Sequence, residues 1–175
     1  DRGVSVRCNV SKAEPQEVYD MLKKQGISVK KSELFDYAFS IDDFDRLQDV
    51  EALKKGYIQV QDFSSILAGH IPEIKGGENI IDICAAPGGK TLHIADRLND
   101  RKLNGGGKII SCDLTDAKTA LIKENVERNG FENVSVVKND ALAFKKEWED
   151  TADIVIADLP CSGLGVIGKK CDIKY

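Results

Sequence analysis

Apolar and polar positions follow one rhythm over the first 60 residues and another from residue 79 onward. Val4, Val6 and Cys8 alternate with polar neighbours as in a half-buried strand, and Val18, Met21 and Leu22 then recur at helical spacing. Ser11 and Glu14, three apart ahead of that run, predict a capping box, and Gly26 predicts the helix stop. Strand-like runs follow over 27–30 and 34–41, then a short helical piece over 50–55 and a strand over 57–60. The order β-α-β-β-α-β is that of a ferredoxin-like α+β unit.

Beyond residue 79 the pattern predicts strands over 79–84, 108–113, 134–139 and 154–157, with helices over 91–98 and 116–129, the second closed by Gly130. These strands are almost continuously apolar, which calls for burial on both faces, hence a parallel sheet with helices on each side. Right-handed crossovers make that an α/β, Rossmann-like fold. The chain therefore divides into a small α+β unit, residues 1–60, and the beginning of a larger domain, residues 61–175. The run Lys75-Gly76-Gly77-Glu78 is the expected hinge, and Gln61 to Ser65 is expected to cap and open the helix leading into the second unit.

Length and composition narrow the classes. With 175 residues and 42% hydrophobic content the chain can bury a genuine core. No apolar run is long enough to span a membrane, and the N-terminal stretch lacks the pattern of a signal peptide. Cys8, Cys84, Cys112, Cys161 and Cys171 are odd in number and widely spaced, which predicts free thiols in a reducing cytoplasm and no zinc site. His70 and His93 have no neighbouring ligands in sequence and read as ordinary packed or surface residues, and Trp148 as a packing residue. A net charge of −4 argues against a generic nucleic-acid binder. Any RNA contact has to be local. Lys23/Lys24, Lys30/Lys31, Lys54/Lys55, Lys145/Lys146 and Lys169/Lys170 are the candidates, and a solvated face is the default for each.

Candidate chemistry concentrates after the first strand of the second unit. Cys84, Ala85, Ala86, Pro87, Gly88, Gly89 and Lys90 form a turn from strand to helix at the carboxyl edge of the predicted sheet, where open α/β folds bind ligands. Two glycines let a ligand approach the backbone, and the helix start behind them offers N–H groups to an anion. For a methyl donor that anion is the methionine carboxylate. A tight turn without ligand is the competing reading. Gly89-Lys90-Thr91 also matches the end of a phosphate-binding loop, but Cys84 stands where that motif needs Gly, so an NTPase is weakened without being removed. Asp113 ends the second strand, where it can accept from a ribose diol. Asp140 follows the third, where it can accept from an adenine amine, and Asp158 follows the fourth. Any one of them could be a helix cap; together on one edge they fit an adenosine carrying a carboxylate tail.

The segment Asp158-Leu159-Pro160-Cys161 presents a thiol beside a carboxylate at the same edge. A lone cysteine is usually a packed apolar residue, but this position makes Cys161 and Asp158 catalytic candidates. Carbon 5 of cytosine is too weakly nucleophilic to accept a methyl group directly, so thiolate addition at carbon 6 has to activate it, and a carboxyl group near N3 can stabilise the adduct.

The stretches ICAAPGGKT, DLPCSGLGVIGKKCDIKY and GYIQVQDFSS, with the Asp113 and Asp140 positions, resemble the RNA cytosine-5 methyltransferase family, in its Sun/Fmu-like branch acting on bacterial small-subunit ribosomal RNA. The resemblance is strong over 56–175 and treats the first 55 residues as the family's small RNA-recognition-like subdomain. It implies an S-adenosyl-L-methionine-dependent methyltransferase fold, an RNA substrate, no metal, and cofactor contacts from residues 84–90, Asp113, Asp140 and Asp158. It implies that Cys161 assists product release while the attacking thiolate comes from a Thr-Cys motif further along. No Thr-Cys pair occurs here, so the chain is expected to be an excised piece, inactive alone, lacking three strands and an N-terminal helical RNA-binding region. Leu159 stands where the family often has Ala, and Gly168 to Cys171 replace a stretch often richer in Arg. A phosphate-loop NTPase and a non-catalytic RNA-binding or assembly module remain the rivals.

Overall fold

The computed structural model describes residues 3–42, 49–100, 103 and 105–159. The small unit runs β1 (Val4–Cys8), α1 (Pro15–Lys24), β2 (Val29–Lys31), β3 (Ala38–Ile41), α2 (Glu51–Lys54) and β4 (Ile58–Val60). Its strands pair antiparallel in the order β2-β3-β1-β4, the ferredoxin-like arrangement. Val6, Cys8, Phe39 and Ile41 turn inward from the sheet onto Val18 and Leu22 of α1, as the alternating and helical periods required.

The second unit continues with α3 (Phe63–His70), β5 (Asn79–Asp82), α4 (Gly89–Leu98), β6 (Lys108–Asp113), α5 (Asp116–Asn129), β7 (Val134–Lys138) and β8 (Ile154–Ile156). The four strands are parallel in the order β7-β6-β5-β8. Asp62 caps α3 by accepting from the Ser65 N–H at 2.9 Å, and Thr115 caps α5 by accepting from the Lys118 N–H. Gly130, at φ 68°, closes α5 in the left-handed conformation that glycine reaches without steric cost. The 75–78 segment is a turn pinned by the Glu78 carboxylate, which accepts from the Lys75 and Gly76 N–H groups.

Three expectations are corrected. Ser11 and Glu14 do not form a capping box: Glu14 holds the N-cap position without a side-chain bond, and Ser11 spends its hydroxyl and N–H on Asp96. The strand expected over 34–41 begins only at Ala38, because 34–37 turn about the Ser32 hydroxyl and drop Phe35 into a pocket with Ala38 and Ile66. Helices do not flank both faces of the parallel sheet among the described residues. Leu92, Ala95, Leu98, Ile122 and Val126 of α4 and α5 all pack on the face carrying Ile80, Ile109 and Ile154, while Val155 on the other face is 59% exposed.

The two units are locked together by charge removed from water. Arg7, fully buried on β1, donates to Asp96 of α4 at 3.1 Å, and Asp96 also accepts from the Val10 N–H and from both the N–H and hydroxyl of Ser11. Alongside, Asn9 donates to Asn129 on α5. Arg97 donates to the carbonyls of Gly69, His70 and Pro72, binding the end of α3 to α4. His93 lies between these elements, its ring so close to Gly69 that a β-carbon there would overlap it, with Tyr37 5.7 Å away between ring centres. Burial first, then the charges of Arg7 and Arg97, push its pKa down to about 2.

Asp96→Ala leaves the Arg7 guanidinium buried without its counter-ion and should lower unfolding free energy by about 3–5 kcal/mol, read by urea denaturation. His93 generates a second expectation. Its folded pKa lies below the ordinary 6.5, so stability present above pH 6.5 is lost on acidification, as the unfolded chain takes up a proton that the folded chain refuses. Asp82, raised to about 6, works in the opposite sense below that pH. Melting temperatures between pH 7.5 and 5 should therefore fall more steeply for the wild type than for His93→Phe; equal slopes would contradict the neutral buried ring.

Candidate cofactor site

In the order β7-β6-β5-β8, the chain steps outward from β5 to β6 and β7 and then returns to the opposite side of β5 for β8. The carboxyl ends of β5 and β8 thus flank a topological switch point, the place where open α/β sheets hold ligands. A cavity of about 280 Å³ opens there, near the lower limit of roughly 300 Å³ typical of small-molecule pockets. Its walls are Asp82, Cys84, Ala85, Ala86, Pro87, Gly89 and Lys90 from the end of β5 and the following turn, Asp158 from beyond β8, and Val60, Gln61, Asp62 and Ser65 from the end of β4 and the start of α3.

The turn is shaped from below. Gly88 has φ 107°, a conformation that disfavours any side chain, and it starts α4. Under it the Thr91 hydroxyl donates to Asp82 at 2.7 Å and meets the Ser111 hydroxyl at 2.9 Å, tying α4 to β5 and β6. From the side, Asp113 accepts from the Ala86 N–H at 3.0 Å and the Leu114 N–H at 2.8 Å and pairs with Lys118. Burial alone would raise the Asp113 pKa, but these hydrogen bonds and the Lys118 charge outweigh it and hold the carboxyl below its usual range. Across the mouth, Lys90 pairs with Asp158 at 2.6 Å.

Two buried polar atoms in this wall lack a hydrogen-bond partner of sound geometry among the described residues, Asp82 Oδ1 and Gln61 Nε2. Burial drives the Asp82 pKa up to about 6, offset only in part by Thr91, the Cys84 N–H and Lys90. Surface grooves of about 390 and 480 Å³ lie elsewhere, around Val126 and Phe131 and along Asn79 and Lys108. Neither contains an unpartnered buried side-chain polar atom, so the smaller cavity differs from them in offering buried hydrogen-bonding capacity to a polar ligand.

Of the residues expected from sequence, Cys84, Ala85, Ala86, Pro87, Gly89, Lys90 and Asp158 line the cavity together. Gly88 and Asp113 lie behind the lining and shape it. Asp140 is exposed past β7, outside the cavity, with its carboxylate accepting from the Leu142 N–H. Cys161, Cys171 and the Lys169/Lys170 pair lie outside the described residues. The site also contains groups the sequence did not disclose as functional: Asp82, Gln61 and Ser65. Asp82 could have been suspected as an acid closing an apolar strand; Gln61 shows nothing of its role before folding. Burial raises the thiol pKa at Cys8 to about 12, at Cys112 to about 11, and upward at Cys84, where Asp113 and Asp82 add to the effect. None of the three is disposed to act as a thiolate. Among the lysine pairs, Lys30 and Lys54 face exposed carboxylates and Lys145 lies over the Trp148 ring. Among the described residues no cluster of acids, cysteines and histidines suited to a metal occurs, and no helix is long and apolar enough to cross a membrane.

A glycine turn at the switch point of a parallel sheet, with acids at the strand ends and an amino-acid-sized polar recess, defines the class of S-adenosyl-L-methionine-dependent methyltransferases. Residues 71–175 match the 16S rRNA methyltransferase RsmB/F family, and the chain belongs to it. It is 34% identical over 172 residues to a probable ribosomal RNA small subunit methyltransferase B of Bacillus subtilis, a match covering 98% of this chain and 37% of that protein. A tRNA (cytosine(72)-C(5))-methyltransferase of Pyrococcus horikoshii is 37% identical over 120 residues, 69% of this chain and 29% of that protein. The fold is shared with the crystal structure of a methyltransferase homolog protein from the same archaeon, at a TM-score of 0.81 and 26% identity, covering 98% of this chain and 55% of that one. The chain thus spans about a third of the length of the curated relatives it matches.

Gly89→Val places two methyl groups in the recess and should abolish binding of S-adenosylhomocysteine in calorimetry at concentrations that saturate the wild type, with melting temperature little changed. Undiminished binding would move the ligand to another site.

Proposed function

We propose that this chain is the cofactor-binding part of an enzyme that methylates carbon 5 of a cytosine in small-subunit ribosomal RNA in the cytoplasm. The observation that carries the reading is the continuity of the match to the Bacillus subtilis relative, which runs through both units and 98% of the chain; the match to the tRNA enzyme covers 69%. Because the Arg7–Asp96 pair fixes the small unit against the cofactor domain, a shared small unit means a shared geometry for presenting RNA. In this reading residues 1–60 are the RNA-recognition-like subdomain and 61–175 the first part of the methyltransferase domain.

The donor, when bound, supplies an electrophilic methyl group. This chain's residues hold it. The turn at residues 84–90 approaches the donor through backbone, Asp82 and Asp158 accept from its ammonium, and Asp113 acts mainly by keeping the turn in shape while offering its remaining lone pairs to a ribose. Asp140 is assigned to the adenine edge. Asp158 lies at the border between cofactor and base, where it can also accept from or donate to the N3 edge of a cytosine. Cys161, three residues further, is assigned to release of the methylated base, and the sulfur that adds to carbon 6 is assigned to a segment of the whole protein other than Cys8, Cys84 and Cys112, whose thiols are held protonated. A nucleotide-hydrolysing site loses support because Lys90, its would-be phosphate ligand, is engaged by Asp158.

The test is transfer of tritiated methyl from S-adenosylmethionine to 16S rRNA and to bulk tRNA by the whole protein, with bisulfite mapping of the product. The proposal expects labelling of one 16S cytosine and a loss of at least about a hundredfold in Asp158→Ala, given what a positioned acid or base contributes. Labelling confined to tRNA, or none, would displace it in favour of the tRNA enzyme or of a non-catalytic RNA-binding module.

A further inference from the structure

The small unit ends on a side chain that reaches the cofactor cavity. Gln61 follows β4, and its N–H still pairs with the Ser5 carbonyl of β1, so its backbone belongs to the antiparallel sheet. The residue is 6% exposed and lines the cavity together with Gly89 and Ser65. The Arg7 Nε donates to its carboxamide oxygen at 3.1 Å. Arginine has no acceptor, so this bond fixes which end of the amide is which: the oxygen faces Arg7 and the NH2 lies toward Gly89 in the cavity wall. That NH2 has no partner among the described residues, and it lies 4.0 Å from where a β-carbon on Gly89 would stand. Beside it is the first turn of the ten-residue helix α4, whose leading N–H groups have no acceptor within the helix.

A buried donor left unpaired costs free energy until an acceptor arrives, and here it lies beside the start of a helix whose leading N–H groups have no acceptor within the helix. We infer that the Gln61 carboxamide donates to the carboxylate of the bound methionine moiety, with Arg7 holding the amide in that orientation. The inference rests on the reading of the cavity as a methyl-donor site and adds to it a contact supplied by the small unit. Arg7 is therefore shared: its Nη1 group clamps Asp96, and its Nε sets the Gln61 amide. Cofactor affinity and the seating of the small unit on the larger domain rest on the same guanidinium. Asp82 and Asp158, which line the same cavity, suit the ammonium of the same amino-acid moiety, so that the cavity offers a zwitterion both donors and acceptors.

The test compares two ligands that differ only at the amino-acid end. Calorimetry of the wild type, Gln61→Leu and Gln61→Glu uses S-adenosylhomocysteine and 5′-methylthioadenosine, which keeps the nucleoside and thioether but lacks the carboxylate. Gln61→Leu should weaken S-adenosylhomocysteine by about tenfold to a hundredfold, as for loss of a hydrogen bond to a charged group, and leave 5′-methylthioadenosine within about twofold. Gln61→Glu retains an acceptor for Arg7 and should fold normally, yet it sets a negative charge against the carboxylate and should cost at least as much. Equal losses for both ligands, or no loss in either variant, would overturn the inference and return Gln61 to a structural or water-binding role. Failure of the wild type to bind S-adenosylhomocysteine at all would instead overturn the reading of the cavity itself.

Discussion

Arg7 and Asp96, from the first strand and the first helix after the cofactor turn, meet with essentially no exposure to solvent. Two such charges stay ionised away from water only when their remaining hydrogen-bonding capacity is met. Asp96 meets it with three donors from the loop after β1, whereas Arg7 meets it only in part, with the Cys8 carbonyl and the Gln61 amide, its Nη2 having no partner among the described residues. The geometry of all these partners follows from one pair. It turns the small sheet into a fixed wall of the larger domain, and it brings the start of α3 over the carboxyl edge of the parallel sheet.

That wall gives the site its shape. A glycine turn at the end of β5 can cradle an adenosyl ligand in many α/β proteins; what narrows the possibilities is the recess between the turn and residues 60–65, closed across by the Lys90–Asp158 pair. Its walls carry buried groups of both hydrogen-bonding senses, Gln61 Nε2 and Asp82 Oδ1, without partners of sound geometry among the described residues.

Much of this was legible in the chain because the signals are local. The turn at residues 84–90 is contiguous, its strand and helix are consecutive, and β6 and α5 fall where periodicity and capping placed them. What depends on distance was not legible. Ser11 and Glu14 have the spacing of a capping box, but the hydroxyl finds a better acceptor 85 residues away in Asp96. Gln61 looked like part of a helix start, and only folding leaves its amide buried without a partner. Asp113 carries the expected acid, yet its oxygens are largely spent on the turn itself. The apolar strands suggested cover on both sides, whereas the helices between them all pack on one.

The central claim is that the recess at the carboxyl ends of β5 and β8 is the methyl-donor site, walled in part by the small unit. A crystal structure of the protein with S-adenosylhomocysteine tests it most directly. The account predicts the homocysteine end between Gly89, Gln61 and Asp82, and the nucleoside running along the turn toward Asp113. Ligand bound against the open face beside Val155, or in the groove at Val126 and Phe131, with the recess at Gly89 empty, would contradict it.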